Sequence, residues 1–176
     1  MFSHPQKTIK EGYIAEGMIV ADFGAGTGHH SLAIARQVGE SGAVYAIEVQ
    51  KDLLEKLQNE ASNEKLLNIH PILADLERPG SSKLADQFVD RVLIANTLFQ
   101  LDEKNTPLLE AKRILKSDGK LILIDWQDSF GNIGPHKDQV VTKEMAQSIA
   151  EKAGFKLEKE IDAGSHHYGM LFQISK

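Results

Sequence analysis

The order of apolar and polar residues along the chain predicts alternating strands and helices over its first two thirds. Short apolar runs, each closed or followed by an acid or an amide, are typical of strands buried inside a sheet. These predicted strands are residues 20–22, 43–47, 69–74, 89–95 and 121–124. The stretches between them have apolar residues at helical spacing, and the helix before the fifth strand is expected to end at Ser117-Asp118-Gly119. This alternation predicts a parallel sheet with helices on both faces.

The last third of the chain has a different pattern. A helix is predicted from about Thr142 to Gly154, with the threonine as N-cap and the glycine as C-cap. Residues 155–161 and 168–174 then alternate apolar and polar positions on either side of a short turn. Two strands joined in this way must be antiparallel. We therefore expect five parallel strands followed by an antiparallel hairpin.

Length and composition restrict the class of protein. The 176 residues suffice for one core, so a single domain spanning residues 1–176 is expected. The absence of cysteine excludes disulfides, zinc-thiolate sites and cysteine nucleophiles. No apolar run approaches the roughly 20 residues of a membrane span, and residues 1–16 lack the apolar core of a signal peptide, which favours a cytoplasmic protein. A net charge of −5 disfavours nucleic acid as a partner.

Three glycines follow the first predicted strand at alternate positions: Gly24, Gly26 and Gly28. Glycine permits a tight turn there and lets bare backbone approach a ligand, because any Cβ would obstruct one or the other. The turn therefore predicts a site for a nucleotide-like cofactor. The fingerprint of dinucleotide-binding proteins is different, since its third glycine would stand at the position of His29.

Polar residues follow the next predicted strands at the point where each ends: Glu48, Asp75 and Asn96. The carboxyl ends of parallel strands meet at one edge of a sheet, so these side chains are expected to lie near the glycine turn. Asp75, like Asp52, could instead cap the helix that follows it. Three polar residues in register behind a glycine turn favour cofactor binding. Asp22, inside the turn motif, is expected to stabilise the turn rather than to contact a ligand.

Five segments together resemble a known family. They are Asp22–Gly28 (DFGAGTG), Tyr45–Glu48 (YAIE), Ala74–Leu76 (ADL), Ile94–Phe99 (IANTLF) and Arg113–Leu121 (RILKSDGKL). The chain resembles the class I S-adenosylmethionine-dependent methyltransferases, and among them the small-molecule enzymes of ubiquinone and menaquinone biosynthesis. The resemblance implies an α/β fold with a Rossmann-like, doubly wound sheet of seven strands, order 3-2-1-4-5-7-6, in which strand 7 is antiparallel. Ser117-Asp118 replaces the family's Pro-Gly in a surface turn away from the expected site.

The same resemblance implies which residues bind S-adenosylmethionine and its product S-adenosylhomocysteine. They are Gly24, Ala25, Gly26, Thr27, Gly28, Glu48, Val49, Asp75, Leu76 and Asn96. The glycine turn would hold the methionine portion, and Glu48 would accept hydrogen bonds from the ribose hydroxyls. Asp75 and Leu76 would bind the adenine, and Asn96 would lie beneath the sulfonium.

Other residues are expected on the side of the methyl acceptor. Phe99 and Trp126 follow the fourth and fifth predicted strands, and residues 1–16, with His4, are expected to border the substrate pocket. His136 lies in a glycine- and proline-rich loop and is a candidate general base. The sulfonium is already activated, so a small organic acceptor held in line would react by direct displacement at carbon, oxygen or nitrogen.

Four other histidines are expected to have no role in catalysis or metal binding. Adjacent residues on a helix point about 100° apart, so His29 and His30 could not easily share a metal ion, and no metal site is expected. His166 and His167 are expected to occupy the edge of the terminal hairpin without a catalytic role.

Two other functions are compatible with the sequence. One is an RNA or protein methyltransferase that needs a partner subunit to supply a docking surface. The other is a protein that binds S-adenosylmethionine without catalysing a reaction. The sequence also leaves open whether the protein is a monomer or a homodimer.

Overall fold

The computed structural model describes residues 4–129 and 134–175. These residues form a seven-stranded sheet with helices on both faces. The strands are β1 (Ile19–Phe23), β2 (Ala43–Glu48), β3 (Ile69–Leu73), β4 (Val89–Ala95), β5 (Leu115–Trp126), β6 (Phe155–Ile161) and β7 (His167–Ile174). The α-helices are α1 (Pro5–Glu11), α2 (His29–Val38), α3 (Lys51–Asn63), α4 (Asn105–Ile114) and α5 (Lys143–Lys152). A single 3-10 turn, Leu98–Gln100, follows β4.

The sheet has the strand order β3-β2-β1-β4-β5-β7-β6. The first five strands along the chain are mutually parallel, and β7 runs antiparallel to both β5 and β6. This confirms the predicted fold class, strand order and reversed strand. The direction in which successive strands are added to the sheet reverses between β1 and β4. The connections that follow β1 and β4 therefore cross opposite faces of the sheet, and a crevice opens at the carboxyl ends of these two strands.

The start of β5 differs from the prediction. A turn was expected at residues 117–119, but β5 already begins at Leu115, which pairs with Val89. The next paired residues are Arg91 and Lys120, so the four residues 116–119 bulge out between two points of pairing. The turn-forming residues are present as expected, but pairing with β4 starts before them.

Side chains alternate between two buried layers, one on each face of the sheet. On one face Phe23, Ile94 and Phe172 pack in a cluster with residues of α4 and α5. On the other face Leu93 and Ile122 belong to a second cluster with residues of α1 and α2. Neighbouring residues of one strand therefore belong to different layers, as the pleat of a strand requires.

Helix α1 is held against the second layer by contacts from the sheet. The guanidinium of Arg91 donates to the carbonyl oxygens of Gly12 (2.8 Å) and Tyr13 (3.2 Å) just after the helix. Lys7 forms a 2.5 Å ion pair with Asp162, which follows β6. Helix α1 also contacts α2, and its Ile9 packs in the second layer. Within the described parts of the chain, no helix combines the length and apolarity needed to cross a bilayer.

Candidate cofactor site

A cleft of about 340 Å³ opens at the carboxyl edge of the sheet. Residues from four separate strand ends line it: Gly24, Gly26, Glu48, Val49, Gln50, Leu53, Ala74, Asp75, Leu76, Glu77, Thr97, Gln100 and Leu101. Six of the ten residues predicted to bind the cofactor are in this set. A larger surface groove, about 1260 Å³, is lined by residues such as Arg113 and Gly119 and contains none of them. Volume alone therefore does not identify the site, whereas the convergence of strand ends does.

The glycine turn has three residues with left-handed backbone angles, at φ +77° for Gly24, +56° for Gly26 and +92° for Gly28. A Cβ on Gly24 would overlap the Thr97 side chain, and one on Gly28 would lie 2.8 Å from Leu57 Cγ. A Cβ on Gly26 would meet no atom within 4 Å. Packing therefore requires two of these glycines, while Gly26 faces open space that a ligand can fill.

Glu48 is held at the end of β2 by backbone amides. Its Oε2 accepts from the Gly26 N–H at 2.9 Å, and its Oε1 accepts from Val49 (2.9 Å) and Gln50 (3.0 Å). The side chain is only 7% exposed, yet it lines the cleft. An ionised carboxylate offers about four lone-pair positions, so this fixed group retains capacity for a hydroxyl donor.

Asp75 lies just after β3, where its position in the sequence predicted it. Its Oδ1 accepts from the Glu77 N–H at 3.0 Å, which caps the turn after β3, and Oδ2 forms a 3.2 Å ion pair with Arg78. Asp75 also lines the cleft, next to the buried Leu76. A capping carboxylate can therefore border the ligand space as well.

The tip of β4 presents Thr97 to the cleft, a residue that the sequence interpretation missed. Its hydroxyl lies 3.1 Å from the carbonyl oxygens of Phe23 and Ala95, which places it opposite the glycine turn. Asn96, at φ +56°, does not line the cleft, and its buried Oδ1 has no hydrogen-bond partner among residues 4–129 and 134–175. The signal for Thr97 was its position beside Asn96, but only the packing against Gly24 reveals it.

The residues predicted on the acceptor side lie outside this cleft. Phe99 donates its N–H to the Asp125 carboxylate at 3.3 Å, and Trp126 is 6% exposed at the end of β5. His4 is the exposed N-cap of α1. His136 is exposed, and its N–H donates to the side chain of Gln139 at 3.3 Å. Their roles remain predictions.

Two buried acids, Asp22 and Asp125, lie near the carboxyl ends of β1 and β5. Burial raises the pKa of Asp22 to about 6. The 2.6 Å hydrogen bond from the Ser31 hydroxyl opposes this shift, and the negative charge of Glu48 adds to it. Burial likewise raises the pKa of Asp125 to about 7, although backbone amides including that of Trp126 (2.8 Å) favour its anion. Asp22 thus connects β1 to α2, as the sequence suggested, and does not line the cleft.

The sequence matches the model of a family described as "Methyltransferase domain" over residues 14–170. A curated relative is the ubiquinone/menaquinone biosynthesis C-methyltransferase UbiE of Bordetella parapertussis, 29% identical over 131 residues, which are 74% of this chain and 49% of that protein. The chain thus spans about half the length of the curated relatives it matches.

Solved structures extend the comparison to the fold. A SAM dependent methyltransferase from Aquifex aeolicus superposes with a TM-score of 0.89 at 29% identity, covering 98% of this chain and 90% of that one. The [4+2]-cyclase SpnF has a TM-score of 0.82 at 14% identity, covering 97% and 80% of the two chains. The second likeness concerns the fold alone.

The cleft fits S-adenosylmethionine in two respects that do not depend on these comparisons. The open space at Gly26 admits a ligand against bare backbone, and Glu48 is a fixed carboxylate with remaining hydrogen-bond capacity. With the family match over residues 14–170, these features identify the chain as a class I methyltransferase whose cofactor is S-adenosylmethionine.

Proposed function

We propose that this protein transfers a methyl group from S-adenosylmethionine to a small organic acceptor by direct displacement. The observation that carries the proposal is the cleft in which Gly26 faces open space beside the anchored carboxylate of Glu48. The relationship to proteins named as C-methyltransferases favours carbon as the methylated atom.

Each part of the cleft has a role in this proposal. The backbone from Gly24 to Gly28, at the start of α2, would hold the methionine portion, whose carboxylate suits the N-terminal amides of a helix. Glu48 would accept from a ribose hydroxyl with its remaining lone-pair position, with Val49 beside it. Asp75 and Leu76 would bind the adenine. Ala25 and Thr27 belong to the same turn.

The chain's contribution to the chemistry is positioning. The bound cofactor supplies a methyl group on an already activated sulfonium. The protein then has to hold the acceptor in line and keep water out, and effective molarity provides much of the acceleration. Asn96 at the tip of β4, with Phe99, Trp126 and His4, would lie on the side from which the acceptor approaches.

Binding measurements test the cofactor assignment. By calorimetry we expect S-adenosylmethionine and S-adenosylhomocysteine to bind and NAD not to bind. Glu48→Gln should weaken S-adenosylhomocysteine at least tenfold, about 1.4 kcal/mol, because the charge-assisted bonds are lost. Glu55→Gln, at an exposed position on α3, is the matched control and should bind as the wild type. Equal affinities for the two variants would contradict the assignment.

A transfer assay tests the acceptor class. Labelled S-adenosylmethionine is offered together with a small-molecule metabolite extract, with tRNA or with a protein extract. Label in the metabolite fraction supports the proposal. Label confined to tRNA or protein would favour a macromolecular substrate, and tight cofactor binding without transfer to any of the three would favour a non-catalytic binding protein.

A further inference from the structure

The 3-10 turn after β4 is fixed by a carboxylate from a different strand. Phe99, the second residue of this turn, donates its N–H to Oδ2 of Asp125 at 3.3 Å. The other oxygen of Asp125, Oδ1, accepts from the Trp126 N–H at 2.8 Å. Asp125 is the last residue but one of β5, and it is completely buried. One buried carboxylate therefore connects the end of β5 to the turn after β4, with each of its oxygens engaged.

Thr97 stands where the cap of this turn is expected, but it does not have that role. Among the residues that the structure describes, its side chain makes no capping hydrogen bond. The Thr97 hydroxyl lies instead 3.1 Å from the carbonyl oxygens of Phe23 and Ala95, both of which accept. The first amides of a helical turn have no partner within it and need an outside acceptor. Asp125 of β5 supplies that acceptor and so caps the turn.

The 3-10 turn also forms one wall of the cofactor cleft. Its last residue, Gln100, lines the cleft together with Leu101, which follows it, and Thr97, which precedes it. The Gln100 side chain also donates to the carbonyl oxygen of Asn96 at 2.8 Å. Asn96 is at φ +56°, a left-handed angle that is uncommon for a residue with a side chain. The turn therefore holds both the wall of the cleft and the unusual backbone at the tip of β4.

The Asp125 carboxyl changes its charge near neutral pH. Burial raises its pKa to about 7, and hydrogen bonds from backbone amides oppose this shift. Lys104, which precedes α4, also lowers the pKa through its positive charge. Tyr168 of β7 is the register partner of Asp125, and burial together with the charges of Asp125 and of Glu144 on α5 raises the pKa of Tyr168. A modest change around the carboxyl therefore suffices to add or remove its proton near pH 7.

Protonation weakens the cap. An ionised carboxylate accepts at both oxygens, whereas the neutral acid has a hydrogen on one of them and is the weaker acceptor. Both oxygens of Asp125 already accept from amides, so the proton has to weaken or displace one of the two hydrogen bonds. The 3.3 Å bond from Phe99 is the longer of the two and is expected to be lost first. Its loss would release the turn that carries Gln100.

We propose that Asp125 is a positioning residue of the cofactor cleft: as an anion it holds the 3-10 turn in place for the cofactor, and it thereby makes cofactor affinity rise with pH. This inference rests on the proposed role of the cleft and does not depend on which acceptor is methylated. The coupling is reciprocal, because a cofactor that binds best to the ordered turn also favours ionisation of Asp125. The charge that lowers folding stability thus serves binding.

Calorimetry with S-adenosylhomocysteine and the full chain tests the pH dependence. If only the ionised form binds, affinity should be about tenfold weaker at pH 6 than at pH 8, because about nine tenths of the Asp125 carboxyl is protonated at pH 6. Asp125→Asn cannot ionise, so it should bind weakly and equally at both pH values. Asp118→Asn, at an exposed position in the bulge of β5, is the matched control and should keep the tenfold change.

The sign of the effect separates Asp125 from a histidine near the cleft. His29 is the first residue of α2, directly after the glycine turn. Its protonation at low pH would attract the carboxylate of the ligand, so affinity would fall as the pH rises. Ionisation of Asp125 has the opposite consequence.

NMR of the wild-type chain provides a second measurement that remains valid even where Asp125→Asn is poorly folded. The side-chain carboxyl carbon of Asp125, observed in labelled protein and assigned through its backbone, should titrate with a midpoint of about 7 in the free chain. Saturation with S-adenosylhomocysteine should lower this midpoint by more than about one pH unit. A carboxyl that only supports the fold would titrate at the same midpoint with and without the ligand.

Three results would overturn the proposal: an affinity that stays constant or falls as the pH rises, the same pH dependence in Asp125→Asn and wild type, or an Asp125 midpoint that the ligand does not move. Absence of S-adenosylhomocysteine binding at every pH would instead contradict the proposed function, which keeps the two failures distinct.

Discussion

Gly24 and Gly26 belong to one turn but are needed for different physical reasons. Both have positive φ, so any side chain there is strained by roughly 1–2 kcal/mol. At Gly24 a Cβ would also collide with Thr97, whose hydroxyl is fixed by carbonyl oxygens and whose branched side chain has few alternative rotamers. At Gly26 the protein leaves the space open. We therefore expect folding to require the first glycine and ligand binding to require the second.

Alanine substitutions separate these two requirements. Gly24→Ala should lower the free energy of unfolding by more than about 2 kcal/mol, because overlap adds to backbone strain. Gly26→Ala should lower it by roughly 1 kcal/mol yet weaken S-adenosylhomocysteine at least tenfold. Gly80→Ala is the matched control, since Gly80 has φ +69° and nothing within 4 Å but lies away from the cleft. Urea unfolding and calorimetry provide the measurements, and unchanged affinity in Gly26→Ala would refute the explanation.

At the scale of elements, helix α5 depends on a local cap. Thr142 precedes the helix with extended backbone angles, and its hydroxyl oxygen accepts from the Met145 N–H at 3.3 Å. This satisfies one of the amides that a helix leaves unpaired at its start. The apolar face of α5, with Ala146 and Ala150, packs on the sheet in the first layer, and no residue of α5 lines the cofactor cleft.

Removal of the cap should therefore affect stability and not binding. Thr142→Ala is expected to lower the free energy of unfolding by about 1 kcal/mol, whereas Thr142→Ser retains the acceptor and should lose only a few tenths. S-adenosylhomocysteine affinity should be the same in both variants when measured by calorimetry. An equal loss of stability in the serine and alanine variants would show that the methyl group, and not the hydroxyl, is the important contact.

At the scale of the whole molecule, the buried acids make stability depend on pH. Asp125 and Asp22 are almost completely buried, with pKa values raised to about 7 and about 6. Above about pH 4 the unfolded chain ionises these carboxyls, whereas the folded chain keeps Asp22 protonated up to about pH 6 and Asp125 up to about pH 7. Their contribution is therefore complete below about pH 4, where both states are protonated, and is lost as the pH rises through the folded-state values.

We expect the free energy of unfolding to fall with rising pH on account of these groups. The Asp125 contribution between pH 5 and pH 8 amounts to a loss of roughly 2–3 kcal/mol. Asp125→Asn should remove this part of the slope in urea unfolding, while Asp102→Asn, at an exposed position, should leave it unchanged. Identical slopes for Asp125→Asn and wild type would mean that Asp125 is ionised in the folded state across this range.

Local sequence patterns predicted the parallel strands, the terminal hairpin and much of the cofactor cleft, and the family resemblance supplied the strand order. The first five strands contain short apolar runs, the last two alternate apolar and polar positions, and the glycines of the turn are two residues apart, so these signals do not depend on distant contacts. The acids at strand ends were readable because parallel strands always bring their carboxyl ends to one edge. Glu48 and Asp75 accordingly line the cleft, as predicted.

The tertiary structure decided which other residues join them. Thr97 faces Gly24, and the ring of His167 lies against that of Trp126, only because strands far apart in sequence are neighbours in the sheet. Residues 116–119 bulge because Leu115, which precedes the turn residues in the chain, already pairs with Val89 of β4. The amino-acid sequence by itself determined the strand order and the cofactor, since these follow from local patterns and a family resemblance. The environment of a buried imidazole depends on packing between distant elements, and only the folded chain determines it.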